Sequence, residues 1–213
     1  MHSCTNGLSE TNKNFVNLSS LYQCGRDNTG EGSISHECGN KTLISTNITK
    51  TRCAHNACCY FHKYPVNINF CCFISNDNHE LDSSCMYFFI VDDSYVKKSI
   101  IKNNSANIYD EYSAGLLSCV LNSSATVSEC IFLQNTAKCA FFPYYATITV
   151  INCTGDDLTV LIGKYGEYNT DQMKTDSFDI TFTHILLGEC NPDPLFIVGQ
   201  TSKINHNKNY RRR

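Results

Sequence analysis

Five potential metal ligands fall within ten residues at Cys53-Ala-His55-Asn-Ala-Cys58-Cys59-Tyr-Phe-His62. Thiolates and imidazoles are the ligands zinc favours, but zinc sites pair Cys-x2–4-Cys elements at a distance. Neighbouring Cys58 and Cys59 on a strand point to opposite faces. The expectation is therefore core and surface residues, with no metal and no cofactor. Asp92-Asp93 precedes Lys97-Lys98, a grouping that a solvated charged loop explains. Gly-x-Ser-x-Gly, Gly-x4-Gly-Lys and Gly-x-Gly-x-x-Gly do not occur, so serine-nucleophile, phosphate-loop and dinucleotide chemistry have no sequence support. No catalytic residue is expected. Six Asn-x-Ser/Thr sequons occur, at Asn17, Asn40, Asn47, Asn103, Asn122 and Asn152. They matter only on a secreted chain.

The elements that would position these residues come from a repeat. Val127-Ser-Glu-Cys130-Ile-Phe132-Leu-Gln-Asn135 shares its layout with the stretches starting at Ile68 and Val96. Stretches starting at Ile48 and Ile148 are read as further copies, the last ending in Asp156. Apolar or small residues fill positions 1, 4 and 6, and Asn fills position 9. A flat strand would alternate at 1, 3, 5. The observed spacing implies a bend after position 1, an alternating strand through 4 and 6, and a turn at 9. Asn tolerates the left-handed conformation that a turn needs, and stacked Asn side chains bond into a ladder. A second apolar run follows each copy: Cys58–Phe61, Cys85–Phe88, Leu116–Cys119, Cys139–Phe142 and Leu158–Ile162. Insertions at 77–84 and 105–115 are polar, as loops pushed out from one face should be.

A unit of about 20 residues with variable insertions belongs to the solenoids. The fold expected is all-β, a right-handed parallel β-helix of about six coils with irregular end coils. Residues 1–14 read as a disordered lead-in. Residues 15–190 read as the β-helix, with an opening coil over 15–47 and a cap after 157. Residues 191–213 read as a peripheral tail. Phe178–Thr183 alternates like a half-buried strand, and Leu195–Val198 is a further candidate.

Fourteen cysteines raise the question of a disulfide framework. In the repeat as read, no two Cys of positions 4 and 6 fall on adjacent coils, and Cys two coils apart cannot bond. Cys53, Cys71, Cys130 and Cys153 are then small apolar fillers. The stacked pair expected is Cys58 over Cys85, as thiols.

Charge is balanced, 17 basic against 20 acidic residues, which gives no field to suggest nucleic acid. The basic end, Arg211-Arg212-Arg213, reads as a solvated terminus. The longest apolar run, Cys85 to Val91, is too short for a spanning helix of about 20 residues. No secretory signal is seen at the N-terminus. The compartment is therefore unknown, either intracellular or that of a longer surface protein.

The repeat, Ile/Val-x-x-Cys/Ser/Thr-x-Phe/Ile/Cys-x-x-Asn, with its Cys- and aromatic-rich strands, resembles the right-handed parallel β-helix proteins of the pectin-lyase-like superfamily. It is most similar to the Asn- and Cys-rich β-helix proteins of trichomonad protists and to polymorphic, adhesin-like surface proteins. The resemblance covers about residues 43–156. It implies an architecture that hosts lyases, hydrolases and adhesins alike. Polygalacturonase-like members carry Asn-Thr-Asp, Asp-Asp, Gly-His-Gly and Arg-Ile-Lys in that order. Here Asn169-Thr170-Asp171 follows Asp156-Asp157, and the other two are missing. Pectate-lyase-like sites need acidic Ca2+ ligands and a basic residue on one face, for which Asp92, Asp93, Lys97 and Lys98 are the only neighbours in sequence. The expected function is a non-enzymatic structural or interaction module binding protein or glycan. A carbohydrate-active enzyme is the alternative.

Overall fold

The computed structural model describes residues 13–171, apart from 18, 24, 32–33, 37–38, 56, 79–83, 107–114 and 156–157. The side chains of 25–31, 35–36, 53–55, 57 and 78 are also outside the description. The chain separates into two compact units, 1–180 and 181–213, and every described residue belongs to the first. The expected strands at Phe178–Thr183 and Leu195–Val198 lie outside the described residues.

Every pairing between described strands is parallel, and the regular elements described are all strands. Four sheets run along the molecule. The first has seven strands: Lys13–Asn17, Asn40–Ile44, Val66–Asn69, Ser94–Lys97, Ser124–Ser128, Thr147–Ile151 and Glu167–Thr170. The second has six: Ser20–Tyr22, Asn47–Thr49, Cys72–Ile74, Ile100–Lys102, Ile131–Leu133 and Thr154–Gly155. A three-stranded sheet holds Gly25–Glu31, Arg52–His55 and Asp77–Asn78. A five-stranded sheet holds Ile34–His36, Ala57–His62, Ser84–Phe89, Gly115–Val120 and Cys139–Tyr144. The chain visits the sheets in turn and returns to the first, which is a parallel β-solenoid. Four regular turns, from Asn40 to Tyr144, stand between an opening turn and a partial closing one. The expected coils thus include the irregular ends.

The register corrects the reading of the repeat. Val16, Leu43, Ile68, Val96, Val127 and Val150 form one row. Leu21, Ile48, Phe73, Ile101, Phe132 and Gly155 form the row of position 6. Ile68, Val96 and Val127 therefore start their copies as expected, and Ile48 and Ile148 do not. Ile48 belongs five residues further into its copy, in the second sheet. Ile148 lies two residues early, beside Ala125. The true starts are spaced by 27, 25, 28, 31 and 23 residues, by subtraction along the first row.

Both rows line one apolar core, in which Leu43, Ile48, Ile68, Phe73, Val96, Ile101, Val127 and Phe132 are at most 1% exposed. Phe132 meets Phe141 edge-on at 5.2 Å between centroids, tying the second sheet to the five-stranded one. Gly155 closes the second row because a Cβ there would sit 2.4 Å from the Phe132 carbonyl oxygen. The second apolar runs stack as expected: Cys59, Met86, Leu117 and Phe141 are in register. Leu158–Ile162 differs, making a single bridge from Val160 to Phe141.

The corners use left-handed backbone. Position 3 holds Ser45, Phe70, Lys98, Glu129 and Asn152, and position 8 holds Gln23, Lys50, Ser75, Asn103 and Gln134, all with φ between 47° and 54°. Few of these are Asn and none is Gly, although the conformation favours both. The Asn of position 9 is not among the positive-φ residues. The expectation that it makes the turn is therefore overturned: the residue before it turns the chain.

Candidate functional site

Position 9 has a different role. The Asn104 Oδ1 accepts from the Asn76 Nδ2 at 2.9 Å and the Asn76 backbone N–H at 3.0 Å. The Asn135 Oδ1 accepts the equivalent pair from Asn104, each at 3.0 Å. Each Nδ2 also donates to a carbonyl one coil back: Ile48, Phe73 and Ile101, at 2.8–2.9 Å. Thr51 opens the ladder, donating from N and Oγ1 to the Asn76 Oδ1. It takes the place expected for Asn56, which lies outside the described residues, as does Asp156. An amide suits this corner because it accepts two bonds and donates two.

Position 4 forms a second inward corner: Thr46, Cys71, Ser99, Cys130 and Cys153. Each donates to the carbonyl two residues earlier, as in Ser99 to Lys97 at 2.8 Å and Cys130 to Ser128 at 3.2 Å. Thr51 and Ile151 were expected here and sit elsewhere. In this register Cys130 and Cys153 fall on adjacent coils. Burial pushes the Cys71 thiol up to about 11, and it pushes Cys119 and Cys130 well above the usual thiol range. Cys153 is lowered, first by hydrogen bonding with Cys130. Cys58 stacks under Cys85 as expected, and neither is in a disulfide. Cys72 is held in a disulfide.

The candidate metal ligands divide. Cys59 joins the core, while Cys58 accepts or donates at 3.1 Å to the Thr51 hydroxyl. His62 packs edge-on to Phe89. The side chains of Cys53 and His55 are outside the description. Among the described residues, no group of three or more His, Cys, Asp or Glu could hold a metal ion.

The charged group also separates. Asp92 and Asp93 are exposed on the loop before Ser94–Lys97. The Lys97 ammonium lies 4.6 Å from the centre of the Tyr95 ring. Lys98 lies over Phe70 and 3.6 Å from the Glu129 carboxylate. Asn169 and Thr170 end the last strand of the first sheet, and Asp171 just after it accepts from the Asn152 N–H. Asp157 is outside the described residues. Of the sequons, Asn17, Asn40, Asn103 and Asn122 are exposed, Asn152 is half-buried, and Asn47 is buried.

The surface that sequence reasoning missed is the outward face of the seven-stranded sheet. Phe15, Thr42, Asn67, Tyr95, Thr126, Thr149 and Asn169 lie in one unbroken row across all seven strands. Asn17, Ile44, Asn69, Lys97, Ser128 and Ile151 form a parallel row beside it. Phe15 and Tyr95 are 62% and 40% exposed. At about 4.8 Å per coil, the first row offers rings, hydroxyls and amides in a straight line. The signal was present as the x positions flanking each copy's first residue, but the misplaced first and last copies broke the row.

The class defined by these observations is the parallel β-solenoid with an Asn ladder. No protein-family model matches the chain, and no curated protein matches it.

Proposed function

We propose that this chain is a non-enzymatic interaction module that binds a neutral glycan along the outward face of its seven-stranded sheet. The row from Phe15 to Asn169 carries the reading. Exposed aromatic faces stack on apolar faces of sugar rings, and flanking hydroxyls and amides exchange hydrogen bonds with sugar hydroxyls. A built-in linear array suits a linear polymer, since each coil adds one more outward side chain at the same spacing. Kinship with pectin-lyase-like proteins, with the Asn- and Cys-rich β-helix proteins of trichomonads and with polymorphic surface proteins belongs to the same reading. Such a module would act as a surface-displayed fragment of a larger protein. The fold and the polar insertions support it.

Purified protein is incubated with a panel of plant and animal polysaccharides, and binding is read by affinity electrophoresis. Retention by at least one glycan, weakened tenfold or more in Tyr95→Ala and Thr126→Ala, is the expected result. No retention, or retention indifferent to these changes, removes the proposal. Release of reducing or unsaturated ends in the same tubes, with or without Ca2+, would favour the glycan-cleaving alternative.

A further inference from the structure

The last described coil carries the one place where the position 4 corner repeats a cysteine on adjacent coils. Ile131 pairs with Thr154 and Val127 with Val150, so Cys153 stands directly over Cys130. The Thr154 N–H donates to the Cys130 carbonyl at 3.0 Å, which locks the two backbones together. Coils in register are about 4.8 Å apart. That lies inside the Cα separation of 4.4–6.8 Å that a disulfide spans. Both side chains point into the core, 0% and 6% exposed, and both are free thiols. Cys153 lies between Thr147–Ile151 and Thr154–Gly155, the next-to-last strand of the first sheet and the last strand of the second. In the second sheet this coil has a neighbour on one side only, so that part of it opens most readily.

We propose that Cys130 and Cys153 are a redox-modifiable pair whose disulfide fastens the closing coil to the body of the solenoid. The oxidant is a small-molecule disulfide. The Cys153 thiolate attacks one sulfur of that molecule and expels the other as a thiolate, leaving a mixed disulfide. Cys130 gives up its proton to the expelled thiolate and attacks the Cys153 sulfur. The second small thiolate leaves and takes the Cys153 proton from solvent. Two protein thiols and one small disulfide become one protein disulfide and two small thiols. The order of attack follows from exposure: Cys153 is the more accessible of the two, and its thiol is the more readily ionised. Reversal needs only a reducing thiol.

The test uses the full chain, reduced and then incubated with oxidised glutathione near pH 8. Free thiols are then alkylated and the protein is cut with trypsin without reduction. Cleavage after Lys102, Lys138 and Lys164 separates a peptide with Cys119 and Cys130 from one with Cys139 and Cys153. The expected result is a disulfide-linked pair of these peptides, lost in Cys130→Ser and in Cys153→Ser and kept in Cys119→Ala. The linked protein should melt about 5 °C higher than Cys130→Ser oxidised in the same way. Ser99 already occupies this column, so the serine variants keep its hydrogen bond and the fold. A glutathione adduct on Cys153 without linkage overturns the proposal, as does a link that survives Cys130→Ser or no reaction at all.

Discussion

The two inward corners of each coil stack polar groups in different ways. At position 9, amides bond from coil to coil: Asn76 to Asn104 and Asn104 to Asn135, each through two bonds near 3 Å. At position 4, hydroxyls and thiols bond first within their own coil, to the carbonyl two residues back. The thiols' reach to the coil below is longer, as in Cys71 to Leu43 at 3.5 Å and Cys130 to Val96 at 3.4 Å, whereas the Ser99 hydroxyl accepts across coils from the Cys71 N–H at 3.1 Å. The difference lies in the side chains. An amide is donor and acceptor at once and can pass a bond along the axis. A thiol is a weak donor that fills space beside the core. One corner therefore couples neighbouring coils, and the other tolerates exchange among Thr, Cys and Ser.

Breaking the first corner should cost most. Asn104→Ala strips a donor and an acceptor from the middle of the ladder, leaving the Asn76 amide and the Phe73 carbonyl with lost partners. A loss of about 2–4 kcal/mol is expected by urea denaturation. Asn135→Ala, at the half-buried end of the ladder, should cost about 1–2 kcal/mol in the same assay. At the other corner, Cys71→Ser keeps the bond to Asn69 and should stay within about 1 kcal/mol of the parent.

Alkali sharpens the same contrast. The Cys71 thiol titrates near 11 in the folded chain, above its ordinary 9.0. The unfolded chain thus loses the proton first, and the folded chain binds more protons between these values. The stabilisation is complete below pH 9 and is lost as pH rises towards 11. Denaturation midpoints for the parent should fall over that window more steeply than for Cys71→Ser. The smallest effect is on the surface. The Lys98–Glu129 pair is 39% and 43% exposed, and Lys98→Ala should shift stability by less than about 0.5 kcal/mol.

The sequence carried the period and the ladder but not the frame at either end. Ile68, Val96 and Val127 were placed by agreement at positions 1, 4, 6 and 9 together. The first regular copy, Leu43-Ile-Ser-Thr46-Asn-Ile48-Thr-Lys-Thr51, has Thr where the others have Asn. Anchoring on Asn56 slid its frame by five residues. In the fifth, Thr147-Ile148-Thr149-Val150 alternates, and a two-residue slip keeps the same face inward. That slip hid the Cys130–Cys153 stack. The outward row was hidden for the same reason, since a row exists only once every strand is in register. The left-handed corners carry no residue preference to read: Phe70, Ser75, Lys98 and Gln134 share nothing but backbone geometry.

A double-mutant cycle on Asn76 and Asn104 tests the coil-to-coil coupling most directly. Stabilities of the parent, Asn76→Ala, Asn104→Ala and the double variant are measured by urea denaturation. A coupling energy above about 1 kcal/mol is predicted, because the second substitution removes a bond already lost. Losses that add to within about 0.3–0.5 kcal/mol would contradict the account, since the two amides would then be acting alone.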